Sequence, residues 1–134
     1  MKEKALELLN VNADIAIATV GLDNKPKLRV FQIMRISDNT LYFATGSEKE
    51  IYQQLKNNPY VEILAMDGNI FVRLAGKAEF NVPDEVRSSI YDDNEILQRL
   101  YLNYSDLEYF SVDVDKMEYY NLDTQPPTQE TYEL

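Results

Sequence analysis

Apolar and polar residues alternate along most of this chain with the two-residue period of β-strands. Residues 27–36 carry the pattern on two faces: Leu28, Val30, Met34 and Ile36 on one, and Arg29, Phe31, Ile33 and Arg35 on the other. Both faces are therefore partly apolar. Such a strand suits a small barrel, in which one face packs on the core and the other packs on a helix or a second subunit.

Further strands follow from the same alternation and from the turns between them. They are predicted at residues 15–20, 40–44, 61–66, 70–80 and 109–120. Turns are predicted at residues 21–25, 38–39 and 67–69, where glycine, aspartate and asparagine interrupt the apolar pattern. Within the strand at 70–80, Gly76 marks a position where a side chain is omitted.

Helical patterns lie between these strands. Leu6 and Leu9 suggest an opening helix, and Ile51 and Leu55 give a later helix its buried side. That helix is predicted to end at residues 57–59, where two asparagines precede a proline.

Two boundaries are set by single residues. Ser47 and Glu50 have the capping-box spacing, which predicts Ser47 as the N-cap of the helix that carries Ile51. Pro83 opens a region predicted to contain two helices within residues 84–103. Residues 121–134, which include two consecutive prolines, are predicted to be an irregular C-terminal tail.

This order of elements predicts one domain over residues 1–134, of mainly β (α+β) class, built as a small antiparallel barrel with flanking helices. A doubly wound dinucleotide fold does not fit, because the strands mostly succeed one another directly and the four glycines never form GxGxxG. A lone small barrel would leave apolar strand faces exposed. We therefore expect a homodimer.

Composition removes several kinds of chemistry. The chain has no cysteine and no histidine, so a disulfide framework, a zinc-thiolate site, a thiol nucleophile and a Ser-His-Asp triad are all excluded. No catalytic side chain and no metal site is predicted. If the protein is an enzyme, a cofactor is expected to supply the chemistry.

The net charge of −10 is concentrated in the last third of the chain. Residues 84–134 contain thirteen acidic and three basic side chains, and no run of lysine or arginine occurs. We expect neither nucleic acid nor a membrane as a partner. The first ten residues lack the apolar core of a signal peptide, and no apolar run approaches the ~20 residues of a membrane span. The expected location is cytoplasmic.

One segment predicts binding of a phosphorylated ligand. Arg29 and Lys49 place two cations near a strand end that opens into a helix, and Thr45 and Ser47 add hydroxyl groups. Each residue also has a plainer explanation. Arg29 could pair with one of the 23 carboxylates, and Lys49 could be an ordinary surface lysine.

The order of blocks in this segment resembles a known family. PKLRVFQI, LYFATGSEK, NNPYVEIL and IFVRLAG follow one another as they do in the FMN-binding split-barrel proteins related to pyridoxamine 5'-phosphate oxidase. The short, nitroimidazole reductase-like members match this chain more closely in size than the oxidase does. The resemblance covers about residues 10–120. It implies a dimeric split barrel, with FMN in each of two grooves between the subunits.

The resemblance also implies roles for individual residues. Arg29 and Lys49 would contact the FMN phosphate, and the segment Val30, Phe31 and Gln32 would line the flavin ring largely through its backbone. For Val30 and Phe31, core packing is the competing interpretation. Arg73 would direct a positive charge at the flavin, or else form a structural ion pair. Tyrosines near the C-terminus, among them Tyr101, would form an aromatic wall or pack at an interface.

Departures from the family's best-known member predict a different activity. True pyridoxamine phosphate oxidases carry a lysine at the position of Met34, an arginine at Glu48 and a glutamine near Phe71, and they extend into a histidine-bearing segment. We therefore expect FMN binding without pyridoxamine phosphate oxidase activity.

The resemblance implies an oxidoreductase that passes electrons from a reduced nicotinamide cofactor to a small acceptor. Two alternatives stay open: a non-catalytic flavin-binding or sensing module, and a split barrel that has lost flavin. A deazaflavin or haem in place of FMN is also open.

Overall fold

The computed structural model describes residues 7–134. The part of the predicted opening helix that includes Leu6 lies outside the described residues. Eight strands are described: β1 (Asp14–Val20), β2 (Pro26–Gln32), β3 (Arg35–Ser37), β4 (Thr40–Thr45), β5 (Tyr60–Asp67), β6 (Ile70–Glu79), β7 (Glu108–Asn121) and β8 (Thr128–Glu133). Three α-helices are described: α1 (Glu50–Asn57), α2 (Asp84–Asp93) and α3 (Glu95–Leu100). A short 3-10 helix (Tyr104–Asp106) precedes β7.

The strands form one antiparallel sheet in the order β2-β1-β5-β6-β7-β4-β3, with β8 paired to the second half of β7. Its long strands curl into a half-barrel. This confirms the predicted mainly β, antiparallel split barrel with flanking helices. Gly76 lies at the irregularity in the β6–β7 pairing, where an added Cβ would collide with the backbone oxygen of Asp113. The omitted side chain is therefore required for the close approach of these strands.

Two buried clusters fill the fold. Inward residues of β1, β4, β5, β6 and β7 pack with Ile51 and Leu55 of α1 in the larger cluster, which confirms the predicted buried side of that helix. Met34, Tyr109 and apolar residues of the helical region form the smaller cluster. The two helices predicted after Pro83 are confirmed as α2 and α3. Within residues 7–134, no helix is both long and apolar enough to cross a membrane.

The single strand predicted at residues 27–36 is wrong. The chain instead forms β2 and β3, which pair with β1 and β4 at opposite ends of the sheet order. Between them Ile33 and Met34 are both buried, and their N–H groups donate to the carbonyls of Ala13 and Tyr42. Met34 therefore lies in the smaller cluster and does not share the exposed face of Leu28.

The irregular tail predicted at residues 121–134 is also wrong. Asn121 still belongs to β7, and β8 pairs with residues 116–121 of that strand. Alternate side chains of β8 are half-buried, and Tyr132 packs against the larger cluster. Cross-strand pairing thus overrides the turn-forming sequence that precedes β8.

The predicted capping box is absent. The N-cap of α1 is Lys49, and no side chain forms a capping hydrogen bond there. Ser47 is two residues upstream and exposed. The first N–H groups of the helix are consequently not satisfied by a side chain of the described chain.

Candidate cofactor site

A cleft of about 390 Å³ opens where β2, the end of β4 and the start of α1 meet. Its walls combine charged, hydroxyl and aromatic groups: Arg29, Phe31, Ala44, Thr45, Gly46, Lys49, Glu50, Ile51 and Tyr101. Three residues predicted from the sequence to bind phosphate, Arg29, Thr45 and Lys49, are therefore brought together. Tyr101 is the C-cap of α3, and its carbonyl accepts a hydrogen bond of 2.5 Å from the hydroxyl of Tyr91.

Arg29 lies on the face of β2 that points to the barrel interior, directly across from Ile17 of β1. Its Nη1 donates to the hydroxyl of Thr19 at 3.0 Å, and its Nη2 donates to Oε1 of Gln54 at 2.7 Å. Among residues 7–134, Arg29 forms no ion pair with a carboxylate. The salt bridge that the sequence left open is thus absent within this range, and the guanidinium charge is available to a ligand.

The start of α1 adds further donors to the cleft. The backbone N–H groups of Glu50 and Ile51 meet no acceptor in the described chain, as is usual for the first turn of a helix without a capping side chain. Lys49 is exposed, and its ammonium forms no hydrogen bond or ion pair with residues 7–134. Thr45 is 6% exposed, and its hydroxyl likewise has no partner in that range.

Ser47 lies in an adjoining groove of about 430 Å³ that shares Lys49 and Glu50 with the cleft. The adjoining groove also contains Lys27 and Gln53. Ser47 is thus near the cleft but does not line it.

Two carboxylates moderate the positive charge. Glu50 lines the cleft, and the carboxylate of Glu48 folds over Gly46, where an added Cβ would collide with it. Burial lowers the pKa of the Arg29 guanidinium, and the charge of Glu50 partly offsets this effect. Arginine remains ionised at every physiological pH. The cleft therefore offers two cations with two carboxylates nearby, which is a milder field than two cations alone would give.

The segment after Arg29 alternates between the two faces of β2. Phe31 faces inward, with its ring 6.1 Å from that of Phe43 in an edge-on arrangement, and it also lines the cleft. Val30 faces outward and is 69% exposed. Gln32 also faces outward, and its amide donates to Asp14 at 3.2 Å. β2 pairs only with β1, so its second edge presents backbone groups that no described strand pairs.

Arg73 is not in this cleft. It lies on the outer face of β6, where Nη2 donates to the carboxylate of Glu118 at 2.6 Å. Arg73 instead lines a shallow apolar depression of about 360 Å³ together with Leu28, Leu64, Met66 and Phe71. The ion pair that the sequence offered as an alternative is therefore present. The contact with a flavin that the resemblance implies for Arg73 is not tested by this geometry.

Sequence reasoning missed Thr19 and Gln54, the two residues that contact Arg29. A signal existed for Gln54, because it lies on the buried side of α1 between Ile51 and Leu55, where an apolar residue is expected. Thr19 lies similarly among the inward apolar residues of β1. A buried polar residue on an apolar face requires a partner, but the sequence does not say which one.

Two relatives match this chain in sequence, one over most of its length and one over a short segment. The chain is 31% identical over 96 residues to general stress protein 26 of Bacillus subtilis (strain 168), covering 68% of this chain and 67% of that protein. It is 38% identical over 50 residues to the pyridoxine/pyridoxamine 5'-phosphate oxidase of Psychrobacter cryohalolentis, a match that covers 37% of this chain and 23% of the oxidase.

Solved structures share the fold over nearly the whole chain. General stress protein 26 from Bacillus anthracis str. Sterne superposes with a TM-score of 0.79 at 20% identity, covering 98% of this chain and 97% of that one. A pyridoxamine 5'-phosphate oxidase-related, FMN-binding protein from Nostoc punctiforme gives 0.78 at 15% identity, covering 98% and 86%. A nimC/nimA family protein from Clostridium acetobutylicum gives 0.76 at 24% identity, covering 98% and 91%.

The family model described as pyridoxamine 5'-phosphate oxidase matches residues 1–118, which include every residue of the cleft. At these identities the solved structures establish the fold alone. Together with the split barrel, the match over most of the chain decides the assignment: the protein belongs to the pyridoxamine 5'-phosphate oxidase family.

Proposed function

We propose that this protein is an FMN-binding oxidoreductase that passes electrons from a reduced nicotinamide cofactor to a small acceptor. The observation that carries the proposal is the guanidinium of Arg29, which forms no ion pair with a carboxylate of residues 7–134, in a cleft that also contains Lys49 and the free N–H groups of α1. A phosphate monoester matches this arrangement, because it carries about −2 charge and three strong acceptor oxygens.

In this proposal the residues of the cleft bind and orient the cofactor. Arg29 and Lys49 of the cleft wall contact the phosphate, and the hydroxyl of Thr45 and the N–H groups of Glu50 and Ile51 contact further phosphate oxygens. The unpaired edge of β2 lies next to Arg29 and offers backbone donors and acceptors to the flavin ring. Bound FMN would supply hydride and electron transfer, which no side chain of this chain provides.

A second copy of the chain completes the site in this proposal. The outer face of β2, β1 and β5 exposes apolar side chains that a monomer would leave in water, among them Leu28 at 73%, Val30 at 69% and Met66 at 64%. This face begins one residue from Arg29, on the same strand. A dimer formed through it would bury these side chains and bring a partner surface up to the edge of β2.

Pyridoxamine phosphate oxidase activity is not part of the proposal. Met34 is buried in the smaller cluster, and Glu48 places a carboxylate near the cleft, so neither position supplies a cation for a second phosphate. The family's name therefore does not fix the substrate of this chain.

The visible spectrum of the purified protein tests the cofactor. We expect flavin absorption bands after incubation with FMN, one equivalent bound per chain, and bleaching on anaerobic addition of NADH or NADPH. Flavin that binds but is reduced only by a chemical reductant would favour a non-catalytic flavin module. Failure to bind FMN at all would refute the proposal, and a haem spectrum would require axial ligands other than histidine, since the chain has none.

A further inference from the structure

The guanidinium of Arg29 belongs to a closed ring of three hydrogen bonds. Nη1 donates to the hydroxyl of Thr19, Nη2 donates to Oε1 of Gln54, and the Thr19 hydroxyl donates to the same Oε1 at 2.7 Å. The three residues come from β1, β2 and α1. We infer that Thr19 and Gln54 are positioning residues that direct Arg29 toward an anionic ligand without neutralising its charge, an inference that rests on the proposed FMN site.

Two polar side chains of this ring are buried, which is costly unless each of them forms hydrogen bonds. Thr19 is 3% exposed and Gln54 is 4% exposed, and both lie on faces where neighbouring residues are apolar. A buried hydroxyl or amide is tolerated only when hydrogen bonds replace the lost contacts with water. Here each acceptor is satisfied by a neighbour in the ring, so the ring is fixed in one arrangement before any ligand arrives.

Neutral acceptors leave the charge of Arg29 in place. A carboxylate at the position of Gln54 would form an ion pair with the guanidinium and would repel a phosphate. Guanidinium has five N–H donors, and the ring uses only two of them, since no other acceptor in residues 7–134 bonds to Arg29. Three donors of Arg29 are therefore not used by any residue of this range, and Arg29 lines the cleft.

Orientation is the second contribution of the ring. A free arginine side chain samples many rotamers, and fixing it on binding would reduce affinity. The contacts to Thr19 and Gln54 fix the guanidinium plane from two sides. The cleft is consequently prepared for a phosphate in the absence of ligand. The gain in affinity should therefore be confined to ligands that carry a phosphate.

The test compares affinity for FMN with affinity for riboflavin, which lacks the phosphate, by flavin fluorescence. We expect Gln54→Glu to weaken FMN roughly tenfold or more by pairing with Arg29, with riboflavin changed less than about twofold. Gln53→Glu is the matched control, because Gln53 is the exposed neighbour on the same helix and adds the same charge without contacting Arg29. The control should weaken FMN by less than about threefold.

Thr19→Val gives a second, nearly isosteric variant that opens the ring without adding charge. It should weaken FMN roughly threefold to tenfold and leave riboflavin unchanged, and it decides the question if Gln54→Glu does not fold. Equal losses for Gln54→Glu and Gln53→Glu, or equal losses for FMN and riboflavin in either ring variant, would overturn the positioning role. Wild-type protein that binds no FMN would instead refute the proposed function itself, and this role with it.

Discussion

Arg73 and Glu118 face each other across β6 and β7 and form an ion pair of 2.6 Å on the outer face of the sheet. The hydroxyl of Tyr120 donates to the same carboxylate at 2.6 Å, and its ring stacks on Phe71. Together with Arg73, Tyr120 lowers the pKa of Glu118. The two arginines therefore differ in their partners. Arg73 is paired with a carboxylate, whereas Arg29 is held by neutral groups.

Replacing Arg73 by Gln should therefore change FMN affinity by less than about twofold, because its charge is already paired. In a single chain, where the Arg73 side chain is 45% exposed, the ion pair should contribute at most about 1 kcal/mol to the free energy of unfolding. Fluorescence titration and urea denaturation measure the two quantities. A loss of FMN affinity as large as that of an Arg29 variant would show that Arg73 reaches a flavin, for example across a subunit interface.

Arg29→Ala and Lys49→Ala should each weaken FMN by roughly 1.5–3 kcal/mol, the typical contribution of a hydrogen bond to a charged group. Riboflavin should bind poorly to the wild type and be nearly unaffected by either change, because it offers no phosphate to these cations. The same titrations measure both ligands. Equal losses for the two flavins would place the phosphate elsewhere.

The apolar outer face should control assembly. Leu28→Lys combined with Met66→Lys should shift the protein from dimer to monomer in analytical ultracentrifugation, because two charges would be buried at the interface. The thermal midpoint of the wild type should rise with protein concentration. Leu102→Lys is the control, since Leu102 is 91% exposed on the loop after α3 and lies outside this face. A wild type that is monomeric and still binds one FMN per chain would contradict the shared site.

Tyr109 offers a test of the smaller cluster by pH. Its hydroxyl is buried and has no hydrogen-bond partner among residues 7–134, and burial raises its pKa from 10 to about 12. Because the unfolded chain releases this proton first, the wild type should lose stability relative to Tyr109→Phe as the pH rises from 10 to 12. At neutral pH the Phe variant should be as stable as the wild type or more stable by about 1 kcal/mol, since it removes an unpaired buried hydroxyl.

Urea denaturation of both proteins at neutral and alkaline pH measures this difference. A constant difference between the two proteins across pH 10 to 12 would show that the Tyr109 hydroxyl titrates normally in the folded state.

Pyridoxamine 5'-phosphate should not reduce bound FMN under anaerobic conditions. At millimolar concentration it should also not displace other ligands from the face of the flavin ring. Met34 is buried and Glu48 is acidic, so the second phosphate would meet no cation at these two positions. An anaerobic absorbance trace measures the outcome, with dithionite as the positive control for flavin reduction. Rapid bleaching by pyridoxamine 5'-phosphate would establish oxidase activity.

The sequence by itself determined the class of fold and most of the strand and helix boundaries. Alternating patterns and turn residues specify local conformation directly, and the buried side of α1 follows from the spacing of Ile51 and Leu55. The sequence also indicated Arg29, Thr45 and Lys49, because cations and hydroxyls near a strand-to-helix junction suit an anion. All three residues lie in the walls of one cleft. That they bind a phosphate stays a prediction.

Only the tertiary structure decided what each of these residues contacts. The break at Ile33 and Met34 depends on carbonyls of Ala13 and Tyr42, and β8 exists because β7 offers it a free edge. Gln54 meets Arg29 across 25 residues of sequence, through elements whose relative placement is set by packing of the whole core. Local propensity contains no information about such distant neighbours, so the neutral ring around Arg29 could be found only after the chain was folded.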